Sequence, residues 1–308
     1  MRILVVGAGA TGGYFGGRLA AAGRDVTFLV RARRAEQLAA SGLRIRSPHG
    51  DVNLASPKTV LAEGLAEPYD LVLLSCKAYD LDGAMASFAP AMGTDSMILP
   101  VLNGMRHLDA LDARFGHARV LGGQCVIAAT VDDDGTILHL NNVHGIAYGE
   151  RDGGTSERVQ RVDAALSGAG FDARLSEHIA QDMWEKWTFL AALAAGTCLM
   201  RASIGEIVAA PGGDATMRGL FDECAAIAGA HGHAPRAAFA EKALTMLSQP
   251  KSSLTASMLR DLERGGRIEA DHIVGDLIAR RGAGVPRSIL ELAYTHLKAY
   301  EARRSSGG

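Results

Sequence analysis

Short apolar runs and longer amphipathic stretches follow one another along the first half of the chain. The run Arg2–Val6 is apolar and ends in glycine, which is typical of a parallel strand buried on both faces. An Ala-rich segment from about Thr11 to Ala22 then predicts a helix that ends at Gly23. The same pattern continues with strand Asp25–Val30, helix Arg33–Ser41, strand Asp70–Ser75, helix Leu81–Phe88 and strand Ser96–Leu102. Alternation of this kind predicts an α/β domain with a doubly wound parallel sheet.

Three further features complete this predicted first domain, which we place at residues 1–176. Leu43–Arg46 and Val52–Ala55 flank Pro48–Gly50 and predict a small hairpin. A second hairpin is predicted around Asp134-Gly135, a sequence that favours a type I′ turn. Additional strands are predicted at Ile146–Gly149 and Phe171–Leu175.

From residue 177 to residue 308 the pattern predicts helices alone, and hence an all-helical second domain. Gly- and Pro-containing breaks separate the segments. The predicted helices are Ile179–Leu199, Ser203–Ala210, Ala215–Ala230, Arg236–Leu247, Ser253–Glu263, Ala270–Arg280 and Arg287–Arg303.

Composition narrows the class of partner. The formal net charge of −2 gives no reason to expect nucleic acid or a membrane surface as partner. The longest apolar run, Thr188–Met200, is too short to span a bilayer, and the N-terminus lacks a signal-peptide layout. The four cysteines show neither CxxC nor metal-ligand spacing. We therefore expect a cytoplasmic protein with buried thiols and no metal site.

A glycine-rich turn, GAGATG, follows the first strand and opens the first helix. It consists of Gly7, Ala8, Gly9, Ala10, Thr11 and Gly12. In this context the GxGxxG pattern predicts a Rossmann-type dinucleotide site. The first glycine permits the tight turn, the second admits the pyrophosphate and the third lets helix and strand pack closely.

The end of the second strand indicates which dinucleotide is bound. NAD sites usually carry an acidic residue there, whereas this chain has Arg31, Arg33 and Arg34. A guanidinium suits a 2′-phosphate in charge and geometry, so the sequence predicts NADPH, with Arg31 as the first candidate ligand and Arg33 and Arg34 as possible helpers. We expect Arg34 to be a solvated residue at the start of the next helix.

Other candidate residues are weaker on their own. Lys77 and Asn103 follow two more strands of the predicted sheet, where ligands of such sheets bind. Lys186 lies between two tryptophans, and partial desolvation there suits a proton donor, although a surface lysine has the same pattern. Ser257 and Glu269 are, by themselves, ordinary helix residues.

Taken together, these segments resemble the ketopantoate reductase (2-dehydropantoate 2-reductase) family over nearly the whole chain. The likeness rests on GAGATG, Arg31, SCKAYD with Lys77, LNGM with Asn103, MWEKW with Lys186, and SMLRDLERGGRIEAD from Ser257 through Glu269. The resemblance implies that Gly7–Gly12, Arg31 and Lys77 hold NADPH and that Asn103 contacts cofactor and substrate. It implies that Lys186 protonates the ketone oxygen, that Ser257 binds substrate, and that Glu269 holds the cofactor or orients the lysine.

The chain departs from that family at two substrate positions. Four and eight residues after the lysine, where the family usually carries asparagines, stand Leu190 and Ala194. We predict NADPH-dependent reduction of a 2-oxo acid to a 2-hydroxy acid, with 2-dehydropantoate as the leading substrate. The alternatives are a more apolar 2-oxo acid, an imine, or a non-catalytic NADPH sensor. Whether the chain forms a homodimer stays open.

Overall fold

The computed structural model describes residues 1–282 and 288–306, and this part of the chain forms two compact units. The first comprises Met1–Leu102 and His107–Ala180; the second comprises Asn103–Arg106 and the chain from Gln181 onward. The short segment Asn103–Arg106 thus packs with the helical unit, although both of its sequence neighbours belong to the first unit.

Ten strands and five helices make up the first unit. The strands are β1 Arg2–Val6, β2 Asp25–Leu29, β3 Leu43–Arg46, β4 Val52–Leu54, β5 Thr59–Val60, β6 Tyr69–Leu74, β7 Met92–Pro100, β8 Gly122–Val131, β9 Ile137–Gly149 and β10 Asp172–Leu175. The helices are α1 Ala10–Ala21, α2 Ala32–Ser41, α3 Leu81–Phe88, α4 Arg106–Phe115 and α5 Glu157–Leu166.

The first sheet is the predicted parallel sheet. Its order is β5-β2-β1-β6-β7, and every pair is parallel. The central strand β1 pairs on both sides, with Ile3 opposite Val26 and Leu71. Because Ile3, Leu4 and Val5 are completely buried, the prediction of a strand covered on both faces is confirmed. The short strand β5 was not predicted.

A second sheet joins segments that the sequence analysis treated separately. Its order is β10-β9-β3-β4, with β8 paired to β9. The predicted Leu43–Arg46 hairpin is confirmed as β3 and β4, and the strand predicted at Ile146–Gly149 is the end of the long β9. Tyr14, Phe15 and Leu19 of α1 belong to one core with side chains from both sheets.

The predicted type I′ turn at Asp134-Gly135 is wrong. That turn needs positive φ at both central residues, and only Gly135, at φ +78°, has it. The backbone N–H of Gly135 instead donates to the carbonyl of Asp132 at 3.0 Å, and Asp132 N–H donates to Thr136 at 2.9 Å. This is the longer hairpin loop in which a glycine in the left-handed region follows a tight turn.

The second unit is helical throughout its described residues, as predicted. Its helices are α6 Ile179–Met200, α7 Ile204–Ala209, α8 Gly213–Ala230, α9 Ala237–Leu247, α10 Ser257–Glu263, α11 Asp276–Ala279 and α12 Ile289–Ser306. The helix predicted over Ala270–Arg280 is a π-helix at Asp271–Gly275 followed by α11. Arg287, the predicted start of the last helix, lies outside the described residues. No helix in the described part of the chain is long and apolar enough to cross a membrane.

Candidate active site

The glycine turn has the geometry that its sequence predicts. Gly7 has φ +93°, and its N–H donates to the carbonyl of Leu29 at 2.9 Å, which fixes the turn to β2. A Cβ on Gly12 would lie 2.2 Å from Ser75 Oγ and 2.3 Å from the carbonyl oxygen of Gly7. Only glycine therefore fits at residue 12, where α1 passes close to the end of β6.

The N-terminus of α1 is open to an anion. Gly9 is the N-cap residue, and the first turn of α1 contains no side-chain cap and no acidic residue. A Cβ built on Gly9 would meet nothing within 4 Å among the described residues. The N–H groups of Ala10, Thr11 and Gly12 belong to a helix turn that has no intrahelical acceptors, so they suit a phosphate group.

The arginines after β2 have two different environments. Arg31 is the N-cap residue of α2; its side chain is 84% exposed and forms an ion pair with Asp80 at 3.3 Å. Arg34 is half-buried, and its Nε donates to the carbonyl of Ala8 at 3.0 Å while both Nη atoms donate to Gly135. The expectation that Arg34 is a solvated helix residue is therefore wrong, because it supports the glycine turn.

The three predicted cofactor positions in the first unit occupy one edge of the sheet. Gly7, Arg31 and Lys77 follow β1, β2 and β6, which are neighbours in the parallel sheet. Lys77 is half-buried and caps the short 3-10 helix Ala78–Asp80, which carries the carboxylate that pairs with Arg31. The phosphate groups of a dinucleotide bound at this edge would meet the glycine turn and the cationic side chains of Arg31 and Lys77.

The second unit brings Lys186 and Asn103 into direct contact. The Lys186 ammonium donates to Asn103 Oδ1 at 3.0 Å. Lys186 lies in the second turn of α6, whereas Asn103 comes from the short segment after β7. Residues that are far apart in the sequence and were singled out independently thus form a hydrogen-bonded pair.

A π-helix supports this pair. Trp187 Nε1 donates to the carbonyl of Ile273 at 2.8 Å, which ties α6 to the π-helix at Asp271–Gly275. The His272 ring forms a hydrogen bond with the backbone of Asn103. Gly104 has φ +75°, and a Cβ there would lie 2.6 Å from the carbonyl oxygen of His272. The backbone at residues 103 and 104 is therefore held closely against the π-helix.

Sequence reasoning did not identify His272. It is 7% exposed, and burial lowers its pKa from 6.5, although the charges of Glu269 and Asp276 act in the opposite direction. Glu269, predicted as a site residue, is also buried, at 9% exposed. It lies just before the π-helix, and its backbone carbonyl accepts from the N–H of Ile273. The one available signal was a histidine three residues after Glu269, a spacing that places both on one helix face.

Two buried carboxylates lie beside Lys186 on the same helix. Glu185 and Asp182 are 2% and 6% exposed, and both accept hydrogen bonds from the Arg236 guanidinium. The backbone N–H of Arg236 also donates to Glu185 Oε1 at 2.8 Å. Burial raises the pKa of Glu185, but these hydrogen bonds outweigh burial and lower the pKa below its usual 4.5. Glu185 is therefore ionised and serves the packing of α6.

The predicted substrate residues are spread over α6 and α10. Leu190 is half-buried and Ala194 is 2% exposed, one and two turns beyond Lys186 on the same face. Ser257 is exposed and is the first residue of α10. The preceding residue, Ala256, donates its N–H to Thr197 Oγ1 at 3.4 Å, which connects the start of α10 to α6.

Both halves of the chain match one protein family. Residues 3–153 match the family model described as ketopantoate reductase PanE/ApbA, and residues 178–301 match the one described as ketopantoate reductase PanE/ApbA C terminal. The oxidoreductase YkpB of Bacillus subtilis is 38% identical over 305 residues, covering 99% of this chain and 100% of that protein.

Solved structures share the fold. The 2-dehydropantoate 2-reductase of Methylococcus capsulatus is 29% identical, with a TM-score of 0.85 over 99% of this chain and 98% of that chain. D-mandelate dehydrogenase, solved with NADH and anilino(oxo)acetate, is 19% identical, with a TM-score of 0.86 over 99% and 100% of the two chains. The chain belongs to the ketopantoate reductase family of oxidoreductases, and the predicted fold class is confirmed.

Proposed function

We propose that this oxidoreductase reduces a 2-oxo acid to the 2-hydroxy acid with NADPH, and that Lys186 gives a proton to the carbonyl oxygen. The hydrogen bond of 3.0 Å between Lys186 Nζ and Asn103 Oδ1 carries the proposal. A proton donor must be held at a defined position, and the Asn103 amide, itself held through its backbone by His272, does this for the ammonium.

The cofactor assignment is supported by the edge of the parallel sheet. The open N-terminus of α1 would hold the pyrophosphate, the exposed Arg31 guanidinium would hold the 2′-phosphate, and Lys77 would assist. When bound, NADPH supplies the hydride that is added to the carbonyl carbon. Glu269 is proposed to hold the cofactor or orient the lysine, and Asn103 is proposed to contact both ligands.

The substrate class is the less constrained part of the proposal. Family membership favours 2-dehydropantoate, the substrate named for several relatives of this chain. Leu190 and Ala194 instead present an isobutyl group and a methyl group along the face of α6 that carries Lys186. That apolar face favours a second candidate, a 2-oxo acid with an apolar tail. The shared fold of D-mandelate dehydrogenase, solved with anilino(oxo)acetate, is compatible with it.

The test is NADPH oxidation by the purified full chain across a panel of 2-oxo acids, with 2-dehydropantoate and its analogue lacking the distal hydroxyl included. Lys186→Ala should lower kcat on the best substrate by about 10²–10⁴-fold while NADPH affinity stays unchanged. Lys242→Ala, at an exposed lysine of α9, is the matched control and should retain activity.

Two outcomes would contradict the proposal. If Lys186→Ala turns over within a few-fold of the wild type, Lys186 is not the proton donor. If the wild type binds NADPH but oxidises it with no member of the panel, the NADPH-sensing alternative is favoured, since a sensor needs no proton donor.

A further inference from the structure

Three histidine rings lie close together on the second sheet of the first unit. His49 is exposed on the turn between β3 and β4, whereas His139 and His144 are buried on β9. One ring nitrogen of each lies within 4.8 Å of the other two. The ring centroids are 3.9 Å apart for His49 and His144, 5.4 Å for His139 and His144, and 5.7 Å for His49 and His139.

Hydrogen bonds define the tautomer of two of these rings. His49 Nε2 lies 2.9 Å from the carbonyl oxygen of Asn142. His139 Nε2 lies 3.2 Å from the carbonyl of Val143 and 3.0 Å from Asn141 Oδ1. That Oδ1 is a true acceptor, because the backbone N–H of Ala128 also donates to it at 3.3 Å. Both Nε2 atoms therefore donate, and each Nδ1 carries a lone pair. The Nδ1 of His139 lies 3.0 Å from the Ser47 hydroxyl and 3.2 Å from the Tyr14 hydroxyl, so a metal ion would take the place of these hydrogen bonds.

The third ring is held by a buried phenol. His144 Nδ1 lies 2.6 Å from the Tyr14 hydroxyl, which is also 3.2 Å from His139 Nδ1. The two buried rings of β9 therefore share one hydroxyl group, which has a single proton to donate.

We propose that His49, His139 and His144 bind one Zn²⁺ ion, with water as the fourth ligand. Imidazole nitrogens suit Zn²⁺, and histidine ligands usually donate their other N–H to a carbonyl, as His49 and His139 do here. From cysteine spacing we expected no metal site. His49 and His139 are ninety residues apart, and such a spacing forms no sequence motif.

Binding requires a local movement that the structure permits. Tetrahedral Zn²⁺ with bonds of about 2.0–2.1 Å needs nitrogens about 3.3 Å apart, closer than the present upper limit of 4.8 Å. The near-parallel rings must also turn so that their lone pairs converge. Rotation is easiest for His49, because it is exposed on a turn, and it must shift together with its Nε2 hydrogen bond to the Asn142 carbonyl. The Arg18 guanidinium, 4.9 Å from the Tyr14 ring centre, opposes a dication, so we expect micromolar rather than nanomolar affinity.

Calorimetric titration of ZnCl₂ into the chelator-treated full chain at about pH 7.5 tests the proposal. We expect one ion per chain, and a loss of affinity of about tenfold or more in His49→Ala. His49→Ala alters an exposed side chain and should fold normally, which its melting temperature without zinc will check. The matched control is His117→Ala, because the His117 ring lies 3.2 Å from two carboxylates, those of Asp112 and Asp152, and is the competing place for a cation.

Co²⁺ provides a second readout, since its visible absorption distinguishes tetrahedral nitrogen ligation from hydrated ion. Bands that appear in the wild type and in His117→Ala but not in His49→Ala would support the site. Absence of Zn²⁺ binding, binding that His49→Ala leaves unchanged, or binding that His117→Ala abolishes would each overturn it. The result does not depend on the reductase activity, so it is independent of the proposed function.

Discussion

The ion pairs between Arg236 and two carboxylates of α6 provide a test of how this helix is held in place. Arg236 places its guanidinium on two buried carboxylates, Glu185 and Asp182, yet is itself 53% exposed. Arg236→Ala removes the countercharge and leaves both carboxylates in the protein interior. Removing one partner of a buried pair is costly because the remaining charge is left without compensation.

The magnitude follows from what remains after the substitution. A fully buried pair broken in this way costs about 3–5 kcal/mol. Here the backbone N–H of residue 236 and Gln181 Nε2 still donate to Glu185, and water can reach the vacated, half-exposed position. We therefore expect a loss of about 2–3 kcal/mol in the free energy of unfolding, or a fall of about 5–10 °C in Tm.

The loss of unfolding free energy in Arg236→Ala should depend on pH in a defined direction. In the wild type the pKa of Glu185 is below 4.5, so its stabilising contribution is present above that value and is lost as pH falls through the lowered pKa. Without the Arg236 guanidinium, the two remaining hydrogen bonds oppose burial less strongly, so the pKa of Glu185 rises and protonation relieves the variant as pH falls. The difference between the two proteins should be largest at about pH 7.5 and should shrink toward about pH 4.5.

Urea unfolding followed by tryptophan fluorescence measures this locally, because both tryptophans of the chain, Trp184 and Trp187, lie on α6. The matched control is Arg218→Ala, which breaks an exposed ion pair with Asp214 in the same unit and should leave the free energy of unfolding almost unchanged. If the two variants lose equal stability, or if the loss at Arg236 is independent of pH, the reasoning is wrong.

Three further predictions concern the ligands and their support. Arg31→Ala should weaken NADPH binding by about 10–100-fold and leave NADH binding nearly unchanged, with Arg114→Ala at an exposed arginine of α4 as the control. Equal affinity of the wild type for both cofactors would contradict this prediction. Leu190→Asn should shift kcat/KM toward 2-dehydropantoate and away from its analogue without the hydroxyl by about tenfold. Ala194 is a poorer position for this test because it is buried. A wild type that already prefers 2-dehydropantoate by a hundredfold would refute the argument for an apolar substrate tail. His272→Phe should lower kcat by about tenfold with NADPH affinity unchanged. Because burial lowers the pKa of His272 from 6.5, the stability of the wild type should fall as pH drops below 6.5, and the variant should lack this part of the pH dependence.

Much of the fold follows from local pattern. The run Arg2–Val6 and its glycine turn defined β1 and the start of α1, because a strand buried on both faces must be continuously apolar. The hairpin of β3 and β4 was also predicted. Its membership in a second sheet with β9 was not, since the pairing of Ile45 with Ile137 joins residues far apart in the chain. Local pattern carries no information on such partners.

The candidate site was predicted in residue type more than in arrangement. Charge alone suggested Arg31, and the structure places it exposed after β2. The expectation of a solvated side chain at Arg34 was wrong, because its Nε donates to the carbonyl of Ala8. No sequence pattern reveals which surface a guanidinium will cover. Lys186 and Asn103 were each suggested, but their contact depends on how residues 103–106 pack with the helical unit.

The π-helix at Asp271–Gly275 explains why the support of the lysine escaped prediction. The sequence there continues an ordinary helical pattern, which predicted a regular helix over Ala270–Arg280. Widening the turn changes which backbone groups are paired, and the carbonyl of Ile273 accepts from Trp187 while His272 reaches the backbone of Asn103. A regular helix would direct these two groups differently relative to α6. The departure from the regular pattern therefore coincides with the residues that hold Asn103 and, through it, Lys186, which is where a functional requirement is expected to override local preference.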